Sequence, residues 1–534
     1  MNSDSTDSSS EDNVWWKWLT GGWAIGALVF VLAIIVFYVE EDWRGTEAWT
    51  KAQADIAAHG ESLDPNKLIP ALIPDKENFG ALPIFKVEPD FDPRYPGYSR
   101  TVALDKALDN VSLHISYSQD QKLKPEDLPY LGKWQRGEKA DLPAIQKRLQ
   151  ELCQRELPSI KIPPNAKSTE MFGLLCPALA DLRAANATHP DCRFEHNYIT
   201  KLPWSIPLGI TTGQLKVAKV LSYEEQLALL DNQPELAMSD FKVGWKIDSG
   251  LRKEPLLISG LVSMGVVAIQ LGVITEGLAE HDWNDQQLAD MDNDLGKIDY
   301  LTDYQLCLRG EATVFGIPIY DYLKKHRVFS PAILFGGMPP SSLGEKIRNF
   351  IFSCIVYLIP DGWFDQFKAE HTRLLLVEGV KIVDPIARRV FPARQEHLQR
   401  SIEDWKAVPL GSPLFSSGMD GISNSVKNFA YAQVHVDEAR IVCRLERYRL
   451  AHGGYPDSLD ALVPAYGSDL PRDMMDGQPY HYKLERDGTY LLYSVGWNQT
   501  DEGGLETSVN GYRSKDSPDW VWGNHPEMEK ANKR

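Results

Sequence analysis

The feature that most constrains this chain is Gly21–Val39. Nineteen consecutive residues carry no charge, and eleven of them are Ile, Leu, Val or Phe. At about 1.5 Å rise per residue this length matches the hydrocarbon core of a bilayer. The apolar content favours insertion by about 3–7 kcal/mol as an upper bound. Trp15, Trp16, Trp18 and Trp23 lie at one end, Tyr38 and Trp43 at the other. That is the aromatic belt of a membrane span. A cleaved signal peptide has a shorter apolar region and a small-residue cleavage site, and none precedes the acidic Glu40-Glu41-Asp42. The segment is therefore read as an uncleaved single-pass anchor in contact with membrane lipid. Lys17 before it, against Arg44 and Lys51 after it, gives the positive-inside rule almost nothing to count.

A second segment, Leu256–Ile274, has the same length and no charge. It differs in carrying Ser259, Ser263 and Gln270 on one helical face, several glycines, and no aromatic belt. It is expected to be the buried helix of a large α-helical body rather than a second span.

Around these segments the 534 residues divide as follows. Residues 1–20 form a polar, acidic tail expected to be disordered, and 21–39 the transmembrane helix. Residues 40–142 hold a juxtamembrane helix near 44–57 and a Pro-rich extended region whose Phe79, Phe85, Phe91 and Tyr95 require burial. Residues 143–427 make an α-helical body, 428–504 an α+β head, and 505–534 a C-terminal tail. The expected fold class is mostly α with this α+β ending. In the body, Ser222 with Glu225 reads as a capping box opening a helix over 222–231. Asn284 caps another helix, with Leu288, Met291, Leu295 and Ile298 on its apolar stripe. Further helices fit 342–358 and 363–382.

The chemistry is sparse. Net charge is −18, which excludes the basic footprint of a nucleic-acid partner. Six cysteines without a C-x-x-C pair exclude zinc ribbons and thioredoxin-like redox motifs. Asp290–Gly296 lacks the Gly and Glu positions of a calcium loop, so its acids read as a solvated helix face. Ser239 and Lys242 match S-x-x-K without its companion motifs. Phe335-Gly-Gly-Met-Pro-Pro is a turn signal. Arg309 and Glu311 read as a buried ion pair. His196, His281 and His371 each follow a Glu, without an H-E-x-x-H pattern. No catalytic site emerges.

The C-terminal part carries a sharper pattern. Val434, Ile441, Leu445 and Tyr448 lie on one stripe of a long helix with charges opposite, stopped at Gly453-Gly454. Tyr455-Pro456 follows, then a short helix through Leu459 and Leu462, then Asp476-Gly477-Gln-Pro479-Tyr480. Two alternating strands, 480–484 and 489–495, are joined by an Asp487-Gly488 hairpin. Tyr480, Tyr482, Leu491 and Val495 are expected to face the core. Ser494-Val-Gly496 then leads into an acidic, Gly-rich loop.

This order resembles the globular head of type II secretion major pseudopilins over about 75 residues, 430–504. The remainder is similar to single-anchor bacterial envelope proteins that carry this ending. The head's own family joins its membrane helix directly to the head helix, whereas here the anchor lies some 400 residues upstream and no leader-peptidase site is present. The resemblance therefore implies a head without the polymerising part. It also implies calcium in the acidic loop, with Asn498, Asp501 and Glu502 as candidate ligands, and no other cofactor. The expected location is the inner membrane, with the bulk of the chain extracytoplasmic. The expected role is structural or protein-binding, with envelope proteins as partners. An envelope hydrolase with its site in the helical body, or a degenerate secretion-system component, is the alternative.

Overall fold

The computed structural model describes residues 12–86, 88–89, 99–100, 142–163, 165–194, 198, 209–327, 342–406, 411–509 and 512–523. Residues 1–11 of the acidic tail, Phe91 and Tyr95, His196 and the Phe335–Pro340 turn lie outside them. The described chain is mostly α-helical with small antiparallel sheets. In order come α1 (Asp12–Ala58), α2 (Leu142–Glu156), α3 (Ser168–Leu175), α4 (Ala178–Thr188), α5 (Gly209–Leu230), α6 (Pro234–Arg252) and α7 (Leu257–Glu280). Then follow α8 (Asp285–Leu295), α9 (Tyr300–Gly310), α10 (Ile317–His326), α11 (Leu343–Leu358), α12 (Asp361–Arg373), α13 (Pro392–Lys406) and α14 (Gly411–His452). Two-residue strands pair as β1–β2 (Glu88–Pro89, Ser99–Arg100), β3–β4 (Val383–Asp384, Arg389–Val390) and β7–β8 (Ser508–Val509, Tyr512–Arg513). One three-stranded sheet has the order β5-β6-β9 (His481–Leu484, Tyr490–Ser494, Trp520–Val521).

Helix α1 corrects the boundary drawn at residue 20, because it is already helical from Asp12. It is two helices in function. Within Trp23–Ala58 its most apolar window is wholly exposed, as lipid contact requires. Its second half is part of the body, with Ala52 and Ile56 buried. It docks on α12 through a backbone-to-backbone crossing. A Cβ on Gly45 would collide with Gly362, and one on Gly362 with the backbone of Glu41. Around that crossing, Asp42 accepts from the Gly362 backbone N–H at 2.8 Å. This satisfies an orphan donor at the start of α12. Buried Glu41 accepts from Trp363 Nε1 at 2.9 Å and from Gln366 Nε2 at 3.1 Å. Lys368 stands over the Trp49 ring at 4.6 Å. Just beyond α1, Glu61 takes a two-point contact from Arg309, 2.7 Å on each arm. Arg309 thus pairs with Glu61, and not with Glu311 as the sequence suggested.

Helix α7 is the buried helix the sequence favoured. Over its apolar window 61% is covered by the protein, against none for α1. Ser259, Ser263 and Gln270 are fully buried, and Ser263 donates to Asp248 of α6 at 2.5 Å. Helices α5–α7 separate two cores. On one side α2–α4 close over Phe79, Phe85 and Phe194, whose rings meet in series, tilted and then edge-on, at 5.5–5.6 Å. On the other, α8–α14 and the sheet form one continuous cluster from Ile56 to Trp520.

Two local readings give way to packing. Ser222 does not open a helix. It lies inside α5, its hydroxyl donating to the Lys219 carbonyl at 2.8 Å, because Val217, Val220 and Leu221 upstream are buried and carry the helix through. Asp292 is not on a solvated face. It is buried and receives Arg440 at 3.0 Å and Arg444 at 2.7 Å. Asn284 does cap α8, reciprocally with Gln287.

The hairpin also forms as expected. β5 and β6 pair from His481↔Tyr493 to Leu484↔Tyr490, and Gly488 takes φ +87° in the connecting turn. Tyr480 and Val495 reach the main core. Leu491 does not: with Tyr493 and Val521 it fills a small cluster of its own, while Leu492 joins the main core. Strand β6 is central, because β9 pairs along its other edge, and side chains on both of its faces are buried. β9 comes from the segment read as a tail. The long helix begins 20 residues before Tyr431, at Gly411, and is buried on its charged face as well as its apolar one. Asp437 takes Arg388 at 2.8 Å, and Glu446 takes Arg449 at 2.7 Å and His281 at 2.8 Å. The head and body therefore share one core.

Two outcomes follow from this packing. Gly488→Val, at a site with open space but positive φ, should lower stability by about 1–2 kcal/mol, while Lys483→Ala on the exposed side should stay within about 0.5 kcal/mol. Thermal unfolding of the full chain compares them. Gly362→Leu should overpack the α1–α12 crossing at a cost of about 1–3 kcal/mol or more and expose the chain around residue 40 to limited proteolysis. An unchanged melting temperature and digestion pattern would refute the crossing.

Candidate functional site

A groove of about 450 Å³ lies between α7 and α14. It exists because α7 has two working faces. Ser259, Ser263 and Gln270 point into the body, while Leu261, Met264, Gly265, Ala268, Leu271 and Thr275 recur at spacings of three and four on the groove side. Asn428, Tyr431, Ala432 and His435 form the facing wall at the same spacing, and Trp522–Gly523 closes one end. The walls are apolar, and the polar groups gather along α14. Buried Glu438 sits 2.7 Å from His435 Nδ1 and fixes the imidazole. The Tyr431 ring meets His435 edge-on at 4.4 Å and Trp520 at 5.2 Å. Thr275 donates to the Leu271 carbonyl at 2.8 Å. Among the described lining residues there is no Ser or Cys to serve as a nucleophile for His435. The arrangement suits recognition of an apolar group with a polar edge.

Behind α7 the body buries ionisable groups. Arg183 bridges Asp240, at 2.7 Å, and Glu224. Burial first, then the Glu224 charge, pushes the Asp240 carboxyl up to about 8. Glu311 opens a π-helical turn, Glu311–Gly316, that packs against a second one, Leu374–Glu378. Its carboxylate accepts from the Leu257 backbone N–H at 3.0 Å and so caps α7. Burial raises it to about 7. His371 lies against Gly316 and beside the Tyr320 ring at 5.5 Å, and burial lowers it to about 4. These groups are buried among the helices and lie apart from the α7–α14 groove. They hold elements together.

The other sequence candidates remain apart from the groove. Ser239 and Lys242 lie one turn apart on α6, with Lys242 exposed. His281 pairs with Glu446. Asn498, Asp501 and Glu502 do share the loop after β6. Asn498 Nδ2 donates to Glu502 at 2.9 Å, and its Oδ1 accepts from Thr500 N–H at 3.0 Å. Asp501 accepts from Gly503 N–H at 2.8 Å and Tyr493 OH at 2.9 Å, which hold its carboxyl below the usual range. Asp519, which the sequence did not single out, ties the same loop by accepting from the Gly504 and Leu505 N–H groups, each at 2.8 Å. Asn498, Asp501 and Glu502 thus each make hydrogen bonds within this turn. Among the described residues, no three His, Cys, Asp or Glu side chains gather as a metal-holding group.

The groove was invisible in the sequence. Its one signal was the alternation of small and large residues, Gly265 and Ala268 among Leu261, Met264 and Leu271, on the polar-poor face of α7. The class that the fold and groove define is a mostly helical protein with an exposed apolar N-terminal helix and an apolar groove between α7 and α14. No family model, curated protein or solved structure matches this chain.

Because the Glu311 carboxyl is raised in the folded state, its contribution to stability is complete below about pH 4.5 and is lost as pH rises through about 7. Glu311→Gln keeps an oxygen for Leu257 and removes the titration. The gain in unfolding free energy between pH 8 and pH 6 should shrink by about 1 kcal/mol in this variant. Denaturant melts at the two pH values measure it, and an unchanged difference would contradict the buried neutral acid.

Proposed function

We propose that this is a single-pass protein of the bacterial inner membrane whose helical body stands outside the cytoplasm and binds another envelope protein through the α7–α14 groove. The observation that carries the reading is the passage of one unbroken helix, α1, from an exposed apolar span into the body, locked there by the Gly45–Gly362 crossing. A body fixed this rigidly to its anchor suits a scaffold that bears contact forces. The groove favours a partner segment with aliphatic or aromatic side chains and one hydrogen-bonding group. Apolar walls reward the first, and the Asn428–His435 edge rewards the second. The pseudopilin-like order of the head elements is consistent with an extracytoplasmic position.

A phosphatase fused after Arg534 should be active in living cells. A photo-crosslinking residue at Ala268 should give one discrete adduct, and the same residue at exposed Lys242 of α6 should give none. An inactive phosphatase with a fluorescent cytoplasmic fusion would sink the topology. Equal labelling from both positions would sink the groove.

A further inference from the structure

Helix α11 (Leu343–Leu358) carries an apolar face that nothing among the described residues covers. Leu343, Ile347, Phe350, Ile351, Tyr357 and Leu358 are all exposed, Leu343 at 74%, Phe350 at 70% and Tyr357 at 71%. With exposed Cys354 they fall within an arc of about 120° at 3.6 residues per turn. A different face holds the helix to the body: Val356 and Ile359 are buried in the main core, and Ile355 packs against it. The outward stripe is therefore a second apolar surface, not a core face left loose. Its place relative to the anchor says what covers it. Tyr38, at the body end of the apolar span, donates to the Leu358 carbonyl at 2.5 Å. Trp43, one turn further along α1, is 65% exposed. The C-terminal end of α11 thus sits at the level where the anchor leaves the hydrocarbon. Among the described residues α11 does not pack lengthwise along α1. At 16 residues, about 24 Å, it is too short to span a bilayer.

We infer that α11 is an interfacial helix that lies in the plane of the membrane beside the anchor, with its Leu343–Leu358 stripe sunk among the lipid headgroups and upper acyl chains. This rests on α1 spanning the membrane. It gives the body a second, lateral attachment, so that α1 and α11 together fix the body's tilt on the bilayer.

Cys354 lies on the stripe, and the other five cysteines are buried, so the native thiol can carry an environment-sensitive fluorophore. The full chain, labelled there, is reconstituted into phosphatidylethanolamine–phosphatidylglycerol vesicles. Emission should be blue-shifted, quenched by lipids bearing a nitroxide high on the acyl chain, and insensitive to aqueous iodide. Dilution of the protein in lipid should change none of this. In the variant Ile347→Asp/Phe350→Asp the lipid quenching should fall several-fold and iodide quenching should appear, with the helical circular dichroism unchanged. A probe in the unsubstituted chain that is open to iodide and blind to lipid nitroxides overturns the inference. So does shielding that vanishes on dilution, which would assign the face to a second protein copy. Resistance of the protein to alkaline extraction from the vesicles reports the α1 span separately, so failure of α11 and failure of the anchor are distinguishable.

Discussion

The contact on which the architecture depends is the crossing of α1 and α12 at Gly45 and Gly362. Only glycine lets two helix backbones approach this closely, and the approach brings Asp42 onto the start of α12 and Glu41 onto Trp363 and Gln366. Glu41 and Asp42 of the acidic run after the apolar span are thereby used in docking. Glu41 is buried, so its hydrogen bonds are obligatory: an unpaired buried carboxylate costs several kcal/mol. The same geometry joins the exposed apolar half of α1 to the body, and it brings the end of α11 to Tyr38.

The second organising element is α14. A helix of this length with an apolar stripe and a charged face ordinarily turns the charges to water. Here Asp437, Glu446 and Arg444 are buried in pairs with Arg388, His281 and Arg449, and Asp292. Buried ion pairs contribute little net stability, because desolvation offsets attraction. They do fix register, since any slip of α14 would strand a charge. Through them the helix is tied to α8, to the β3–β4 turn and to the end of α7, and its outer edge becomes a wall of the groove.

The two π-helical turns have a related effect. They lie against each other at Glu311–Gly316 and Leu374–Glu378, where Glu311 caps α7 and His371 fits over Gly316. A Cβ at position 316 would collide with the imidazole. The widened turns thus sit where a buried acid and a buried histidine must be accommodated side by side. Both groups are held neutral near pH 6 by burial, which makes this part of the core pH-sensitive.

The sequence by itself determined the features whose physics is local. The exposed apolar half of α1 followed from 19 uncharged residues, the start of α8 from Asn284 and Gln287, and the hairpin from Asp487-Gly488. The burial of α7 followed from serines and a glutamine at helical spacing. Tertiary structure decided everything that depends on a partner distant in the chain. Ser222 had the chemistry of a cap, but buried neighbours carried the helix past it. Asp292 and the α14 charges looked solvated until their arginines arrived. Leu491 packs in a cluster with Val521 of β9, and not in the main core, because β9 lies beyond the expected end of the head. The groove and the α11 stripe belong to this second kind. Apolar periodicity shows that a face must be covered, but only the positions of the other helices decide whether protein or lipid covers it.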